Sequence, residues 1–231
     1  WVSGTGSGLS TTMATNYTSN GSDFNTNYNA SPVYSQRLTQ FNVTRGMLTG
    51  AKVKVVGSAS QFLYNVSFYD DRGRVLQTQS VNYTGGIDTS ITQYSFDGKP
   101  LNNLLAQKKN GNNAQAHKIL TGMAYDAAGR LLAIYKNIDN APATQLIATN
   151  TYNELGQLQN KELGNNLENL AYAYNIRGWL SSINKGYLSN GSGSSYFGME
   201  LGYDKTTAAV SSTSYTTPEY NGNIEGTIWR S

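Results

Sequence analysis

The chain has 231 residues, of which 38% are hydrophobic and only 13% charged, with a net charge of +3 and no cysteine. The charge shortfall, about half the usual globular share, is filled by Asn, Ser, Thr, 24 glycines and 17 tyrosines, a mixture that favours strands and tight turns over helices. Disulfides and thiolate metal sites are excluded, no apolar run reaches the ~18 residues of a membrane-spanning helix, and the densest basic cluster (Lys108, Lys109, His117, Lys118) is too thin for a nucleic-acid face.

At this length the chain can bury a sizeable core, as one all-β unit or two small domains. It opens on Trp1 with nothing resembling a signal peptide, and so reads as an excised piece whose native address is not legible at its N-terminus. Residues 1–37, rich in Ser, Thr, Asn and Gly, predict an irregular or mobile segment ahead of a β region spanning 38–231. "TRGMLTGAKVKVVG" alternates Val53 and Val55 with lysines, as a strand does. Residues 102–118, "NNLLAQKKNGNNAQAHK", predict an insertion that turns at Asn110-Gly111. "NLENLAYAYN" predicts a strand from its tyrosine alternation, and residues 187–198 predict a second flexible loop.

Through this region one phrase returns. An aromatic followed by Asp or Asn, with glycine four residues after the aromatic, occurs at Tyr69-Asp70 with Gly73, Tyr125-Asp126 with Gly129, Tyr152-Asn153 with Gly156, and Tyr174-Asn175 with Gly178. Two compressed copies are Phe96-Asp97-Gly98 and Tyr220-Asn221-Gly222, and Tyr203-Asp204 opens a copy without a glycine. The Asx oxygen can accept a backbone N–H two residues on, and the glycine supplies positive φ. In the compressed copies the Asp-Gly and Asn-Gly pairs predict two-residue type I′ turns. An apolar residue returns two positions after glycine at Val75, Leu131, Leu158, Leu180 and Ile224, with Pro100 in that slot once. Before the turn a period of two puts Leu170, Tyr172 and Tyr174 on one face, as it does Met199, Leu201 and Tyr203. The fold class that follows is all-β, an array of stacked antiparallel β-hairpins with the tyrosines as cross-strand neighbours and stability coupled between adjacent repeats.

"YDDRGRV", "YDAAGRL", "YNELGQL" and "YNIRGWL" resemble the tyrosine–aspartate (YD) repeats of RHS-repeat proteins. "SFDGKPL", "AYAYNIRGWLSSIN", "FGMELGYDK" and "YNGNIEGTIWRS" are similar to the version found in large surface and secreted proteins of Bacteroidetes; the likeness covers roughly residues 40–231. The resemblance implies a hairpin array winding spirally into a hollow shell that, as in teneurin and toxin-complex relatives, encloses a C-terminal toxin or serves as an extracellular scaffold. It implies as partners the rest of a parent chain, an enclosed toxin, secretion machinery or a cell-surface ligand, with no nucleic acid and no membrane insertion. The sequence departs from that pattern in two respects. The Asp-Pro of the family's core-closing autoproteolytic motif is absent, and the usual Arg after glycine is replaced by Lys99, Gln157, Trp179 and Asn223. Cleavage and toxin activity are therefore expected outside this piece.

Candidates for chemistry are sparse. His117 lacks an evident nucleophile and orienting acid. Asp70 and Asp71 are adjacent, and the other acidic residues of the repeat already have turn roles, so a glycosidase pair has little to draw on. There is no Asp-x-Asp-x-Asp-Gly calcium loop. The glycosylation-type sequons at Asn20, Asn42, Asn65 and Asn190 are expected by chance in so Asn-, Ser- and Thr-rich a chain. Gly4-Thr5-Gly6 and Gly191-Ser192-Gly193 lack the strand–helix setting of a phosphate loop. Trp179 and Trp229, with Tyr172 and Tyr187, are possible ligand-stacking residues, against the plainer reading of buried packing. The expectation is a non-enzymatic, cofactor-free structural segment. Its rivals are a glycan- or protein-binding adhesion module and a cryptic hydrolase, the last requiring two carboxylates in one cleft.

Overall fold

β-Branched and aromatic runs punctuated by Asx and glycine turns give antiparallel ladders throughout. The computed structural model describes residues 21–28, 34–191, 195–215 and 217–231. Residues 1–20, with Gly4-Thr5-Gly6 and Asn20, lie outside them, as do Ser192 and Gly193. The chain divides into two compact units, residues 1–129 with 135–144, and residues 130–134 with 145–231.

The first unit carries β1 (Gly50–Lys54), β2 (Phe62–Tyr69), β3 (Val75–Val81), β4 (Ile87–Tyr94), β5 (Pro100–Lys109) and β6 (Gln115–Tyr125). Strand β7 (Leu131–Ile138) gives its first four residues to the second unit and the rest to the first. The second unit continues with β8 (Gln145–Tyr152), β9 (Leu158–Leu163), β10 (Glu168–Tyr174), β11 (Leu180–Ile183), a short helix α1 (Lys185–Asn190), β12 (Gly198–Gly202) and β13 (Gly226–Arg230). From β1 to β6, and from β8 to β13, each strand pairs antiparallel with its neighbours in chain order.

On one face of the first unit the register brings together Phe68, Gln77 and Ile91, then Leu104 and Leu120. Phe24 and Leu38, both from the N-terminal part of the chain, pack on Ile91, Leu104 and Leu120. Gln93, wholly buried, holds that cover in place. It accepts the Asn25 N–H (3.0 Å) and donates to the carbonyls of Asn25 (2.7 Å) and Gln36 (3.1 Å). The ion pair of Lys118 with Asp23, at 2.6 Å, adds a second tie. The described part of residues 1–37 is therefore not a loose segment: Gln93 and Lys118, both far away in sequence, tie it down.

Three further expectations are corrected. Residues 102–118 are not an insertion but most of the β5–β6 hairpin, paired from Asn102↔Gly122 to Lys109↔Gln115. Their asparagines bond across the ladder, Asn102 to Gln93 (3.0 Å) and Asn103 to Thr92 (2.9 Å), so a loop-like composition sits in a strand. Within 187–198, residues up to Asn190 belong to α1, anchored by buried Leu188. And the repeat tyrosines do not face one another: Tyr69 pairs with Val75, Tyr94 with Pro100, Tyr152 with Leu158 and Tyr174 with Leu180, each within its own hairpin.

Candidate functional site

The repeat turns form one module, used again and again. At Asp70 the Gly73 N–H donates to the Asp70 carbonyl (3.1 Å) and the Asp70 N–H to the Arg74 carbonyl (3.0 Å), with Gly73 at φ 75°. This is a type I turn closed by a left-handed glycine, and it leaves a bulge in the ladder. The same register shift recurs before Tyr69, Tyr94, Tyr152 and Tyr174. The Asx side chain ties the loop down. Asp70 Oδ1 accepts the N–H groups of Arg72 (3.0 Å) and Arg74 (2.8 Å), and Asn175 Oδ1 those of Arg177 and Trp179 (both 3.0 Å). Asn153 Oδ1 takes the Gln157 N–H at 2.9 Å.

That geometry re-registers the two compressed copies. Around Gly98 the turn bonds run from Gly98 N–H to Ser95 and from Ser95 N–H to Lys99, and Ser95 Oγ accepts the Lys99 N–H at 2.9 Å. Ser95 thus fills the Asx slot and Tyr94, not Phe96, is the aromatic; the spacing to glycine is the ordinary four. Asp97 is not in the left-handed region, so no type I′ turn forms. Gly222 (φ 97°) does not belong to a copy led by the exposed Tyr220. It sits under Trp179, as the other repeat glycines sit under the preceding repeat's side chain, and so completes the repeat opened at Tyr203. The intervening stretch is a long excursion returned to the strand by the Glu219 N–H on the Tyr203 carbonyl.

The re-registered tyrosines share one partner type. In the first unit the hydroxyls of Tyr69, Tyr94 and Tyr125 donate to the carbonyls of Leu48 (2.7 Å), Val75 (3.0 Å) and Pro100 (2.9 Å). In the second, Tyr152, Tyr174 and Tyr203 donate to Leu131, Leu158 and Leu180, each at 2.9 Å. Every acceptor lies two residues after the preceding repeat's glycine, the slot where an apolar side chain returns. Burial raises the pKa of Tyr94, Tyr125 and Tyr174 above the ordinary phenol value, so the donor proton is held.

The residue just after each glycine covers the next repeat. Arg74 stacks on Tyr94 and Arg130 on Tyr152, both at 4.6 Å, and the Trp179 ring lies 5.2 Å from that of Tyr203. These side chains also crowd the following glycine. A Cβ at Gly156 would stand 3.3 Å from Arg130, one at Gly178 3.3 Å from Gln157, and one at Gly129 2.5 Å from Lys99. Gly129 therefore answers two demands, positive φ (76°) and room for a neighbour's cation. The substitutions Lys99, Gln157 and Trp179 preserve the covering role with different chemistry.

Other candidates fall apart from this ladder. His117 Nδ1 stands 2.8 Å from Asp139 Oδ2 on an exposed surface, and Asp139 also takes the Lys118 N–H. The contact with His117, ahead of the Lys118 bond, holds the Asp139 carboxyl below its usual pKa. Asp70 is committed to Arg74 (2.6 Å), which leaves the adjacent Asp71 outside that ion pair. Trp229 is exposed on β13. Tyr187 borders a groove of about 580 Å³ that Ala171, Tyr172, Ala173 and Ser182 also line.

Sequence reading missed a carboxylate pair, Glu200 and Glu225. Each spends one oxygen on the excursion, Glu200 on the Ala209 N–H (2.7 Å) and Glu225 on the Thr217 N–H (2.6 Å). The Tyr215 ring packs where Cβ atoms of Gly202 and Gly226 would be, and burial, then the two carboxylates, raises its pKa. The arrangement staples Ala209, Tyr215 and Thr217 of the excursion to β12 and to the start of β13. Its only advance signal is the glycine that follows each glutamate at short range. Among the described residues no group of three or more His, Cys, Asp or Glu could hold a metal ion.

No protein-family model matches the chain, and no curated protein does. Among solved structures, the crystal structure of TcdB2-TccC3-Cdc42 is similar with a TM-score of 0.37 and 12% identity, over 82% of this chain. The match spans 11% of that chain's length.

Proposed function

We propose that the chain is a non-enzymatic, load-sharing wall segment of a large secreted or cell-surface bacterial protein of the RHS/YD-repeat kind. Its work is to enclose a cargo domain, a toxin in the form the resemblance suggests, or to hold a scaffold open. One observation carries the reading: in each unit three successive tyrosine hydroxyls are bolted to the backbone of the repeat before. Side chains of the residue type that elsewhere serve as stacking platforms are committed to this ladder, as Trp179 is to Tyr203. Repeats coupled to their nearest neighbours share stability along the array.

Limited proteolysis combined with a substrate and glycan screen tests this. Cleavage is expected at the Asn110–Asn113 tip and in 204–221, with the turns Asp70–Gly73 and Asn153–Gly156 resistant, and with no turnover or sugar binding. Ready cleavage inside the bolted turns would overturn it. So would ester or glycoside hydrolysis abolished by Glu200→Gln, or sugar binding abolished by Tyr187→Ala in a chain that still folds.

A further inference from the structure

In the first unit we propose a self-modification site: Lys118 and Asn140 form an intramolecular amide (isopeptide) bond, with Asp23 as the proton carrier. No second reactant is needed and each chain reacts once, so the site goes beyond the wall role without competing with it.

Three side chains from separate parts of the unit converge on one amine. Lys118, on β6, donates from Nζ to Asp23 Oδ1 at 2.6 Å and to Asn140 Oδ1 at 3.0 Å. A lysine, a carboxamide and a carboxylate are the parts that spontaneous amide exchange requires: the nucleophile, an acyl carbon with a departing nitrogen, and a base that frees the amine. Asn140 Cγ lies one C=O bond beyond Oδ1, so it stands at most about 4.2 Å from Nζ. That is close to the ~3–3.5 Å of a near-attack arrangement.

The fold holds the parts there. The Asp139 N–H donates to the Lys118 carbonyl and the Lys118 N–H to Asp139 Oδ1, both at 2.7 Å. Asn140 follows in the left-handed region (φ 57°), where Asn is favoured over most side chains. Asp23 is brought in by its neighbours, since Phe24 packs on Ile91 and the Asn25 N–H donates to Gln93. The Asp23 side chain is only 10% exposed, and its Oδ2 is buried without a hydrogen-bond partner. A purely structural ion pair has no reason to carry that cost, whereas a proton carrier uses the open oxygen. Lys118 and Asn140 also border a groove of about 580 Å³, through which the leaving group departs.

The step balances within the three residues. Asp23 takes one proton from the Lys118 ammonium, and the freed lone pair forms the Nζ–Cγ bond. The Cγ–Nδ2 bond breaks, and the leaving nitrogen collects the proton held by Asp23 and a second one from Nζ. It departs as ammonium, one hydrogen stays on the new amide nitrogen, and Asp23 is again a carboxylate. Nothing is oxidised or reduced.

Intact-mass spectrometry of the whole folded chain tests this. The expected mass is one ammonia below that of the sequence. In a tryptic digest, residues 110–130 and 137–161 should travel as one linked species, because trypsin does not cleave after an acylated Lys118. Lys118→Arg and Asn140→Ala should abolish the bond. Asp23→Asn keeps an acceptor for Lys118 but loses the proton carrier, and should slow bond formation at least about a hundredfold, with circular dichroism checking that each variant folds. A full mass that persists in the unaltered chain after days at neutral pH overturns the bond, whatever the variants do. Ammonia loss that survives Lys118→Arg also overturns it, since that marks succinimide formation at a step such as Asn110-Gly111. An unchanged rate in folded Asp23→Asn overturns the part given to Asp23.

Discussion

Tyr152→Phe is the sharpest perturbation of the ladder because it removes one oxygen and leaves the packing. The hydroxyl's single hydrogen bond is to the Leu131 carbonyl at 2.9 Å, in a half-buried setting, while the ring stays under the Arg130 guanidinium at 4.6 Å. A net hydrogen bond is worth about 1 kcal/mol, so the variant should lose about that much. Tyr152→Ala also forfeits ring burial and the cation–π contact, itself about 0.5–1 kcal/mol, and should cost about 3 kcal/mol in all. Guanidinium denaturation followed by tryptophan fluorescence reads both, and an unchanged slope would assign the midpoint shift to stability alone. If Tyr152→Phe matches the wild type within about 0.2 kcal/mol while Tyr152→Ala loses its full share, the bolt is incidental and ring packing alone joins the repeats.

Gly86→Ala should be among the most damaging single changes, above about 3 kcal/mol, because the new Cβ would fall 1.7 Å from the Lys108 carbonyl oxygen. Gly111→Ala, with open space around it, should cost only the ~1–2 kcal/mol of a left-handed residue with a side chain; thermal melts compare the two. Phe24→Ala should cost about 3 kcal/mol and speed exchange of the Asn25 amide, since Phe24 packs on Ile91 and Leu104; an unchanged exchange rate would show that Gln93 alone holds the cover. Because Tyr94, Tyr125 and Tyr174 titrate above the ordinary phenol value in the folded chain, the unfolded chain loses those protons first. Stability is then fully present below pH ~10 and falls as pH rises towards the folded values. Phenolate absorbance should show a late-titrating class, and a single titration at the ordinary value would contradict the burial. Asp139, held below its usual value by His117 and then Lys118, works the other way. Its contribution is present above pH ~4 and fades as pH falls through the lower folded value; Asp139→Asn should flatten that acid limb.

Much of the architecture was legible because turns are local. Asp70, Asn153 and Asn175 cap their own loops within four residues, so composition and spacing alone point to hairpins. Where the local code uses a substitute, reading it from letters fails. Ser95 does the work of Asx, and the phrase "FDG" points to Phe96 although Tyr94 carries the bond. The β3–β4 turn at Asn82 and Gly85 uses the same bonds but no aromatic precedes it. Composition misled at 102–118, where asparagine is a cross-strand partner, and at Phe24 and Asn25, whose partners lie 68 residues from Asn25 in one case.

Alternation, turn chemistry and recurrence, all short-range properties, determined by themselves that this chain is an antiparallel hairpin array with glycines at fixed points. Only the tertiary structure decided which carbonyl each tyrosine reaches, which side chain covers which ring, that Gly222 finishes what Tyr203 begins, and that Glu200 and Glu225 pin the excursion between them. Those contacts join residues from different hairpins, and their register depends on how many residues each intervening strand and bulge consumes. That count is set by packing and ladder geometry, which no local motif records.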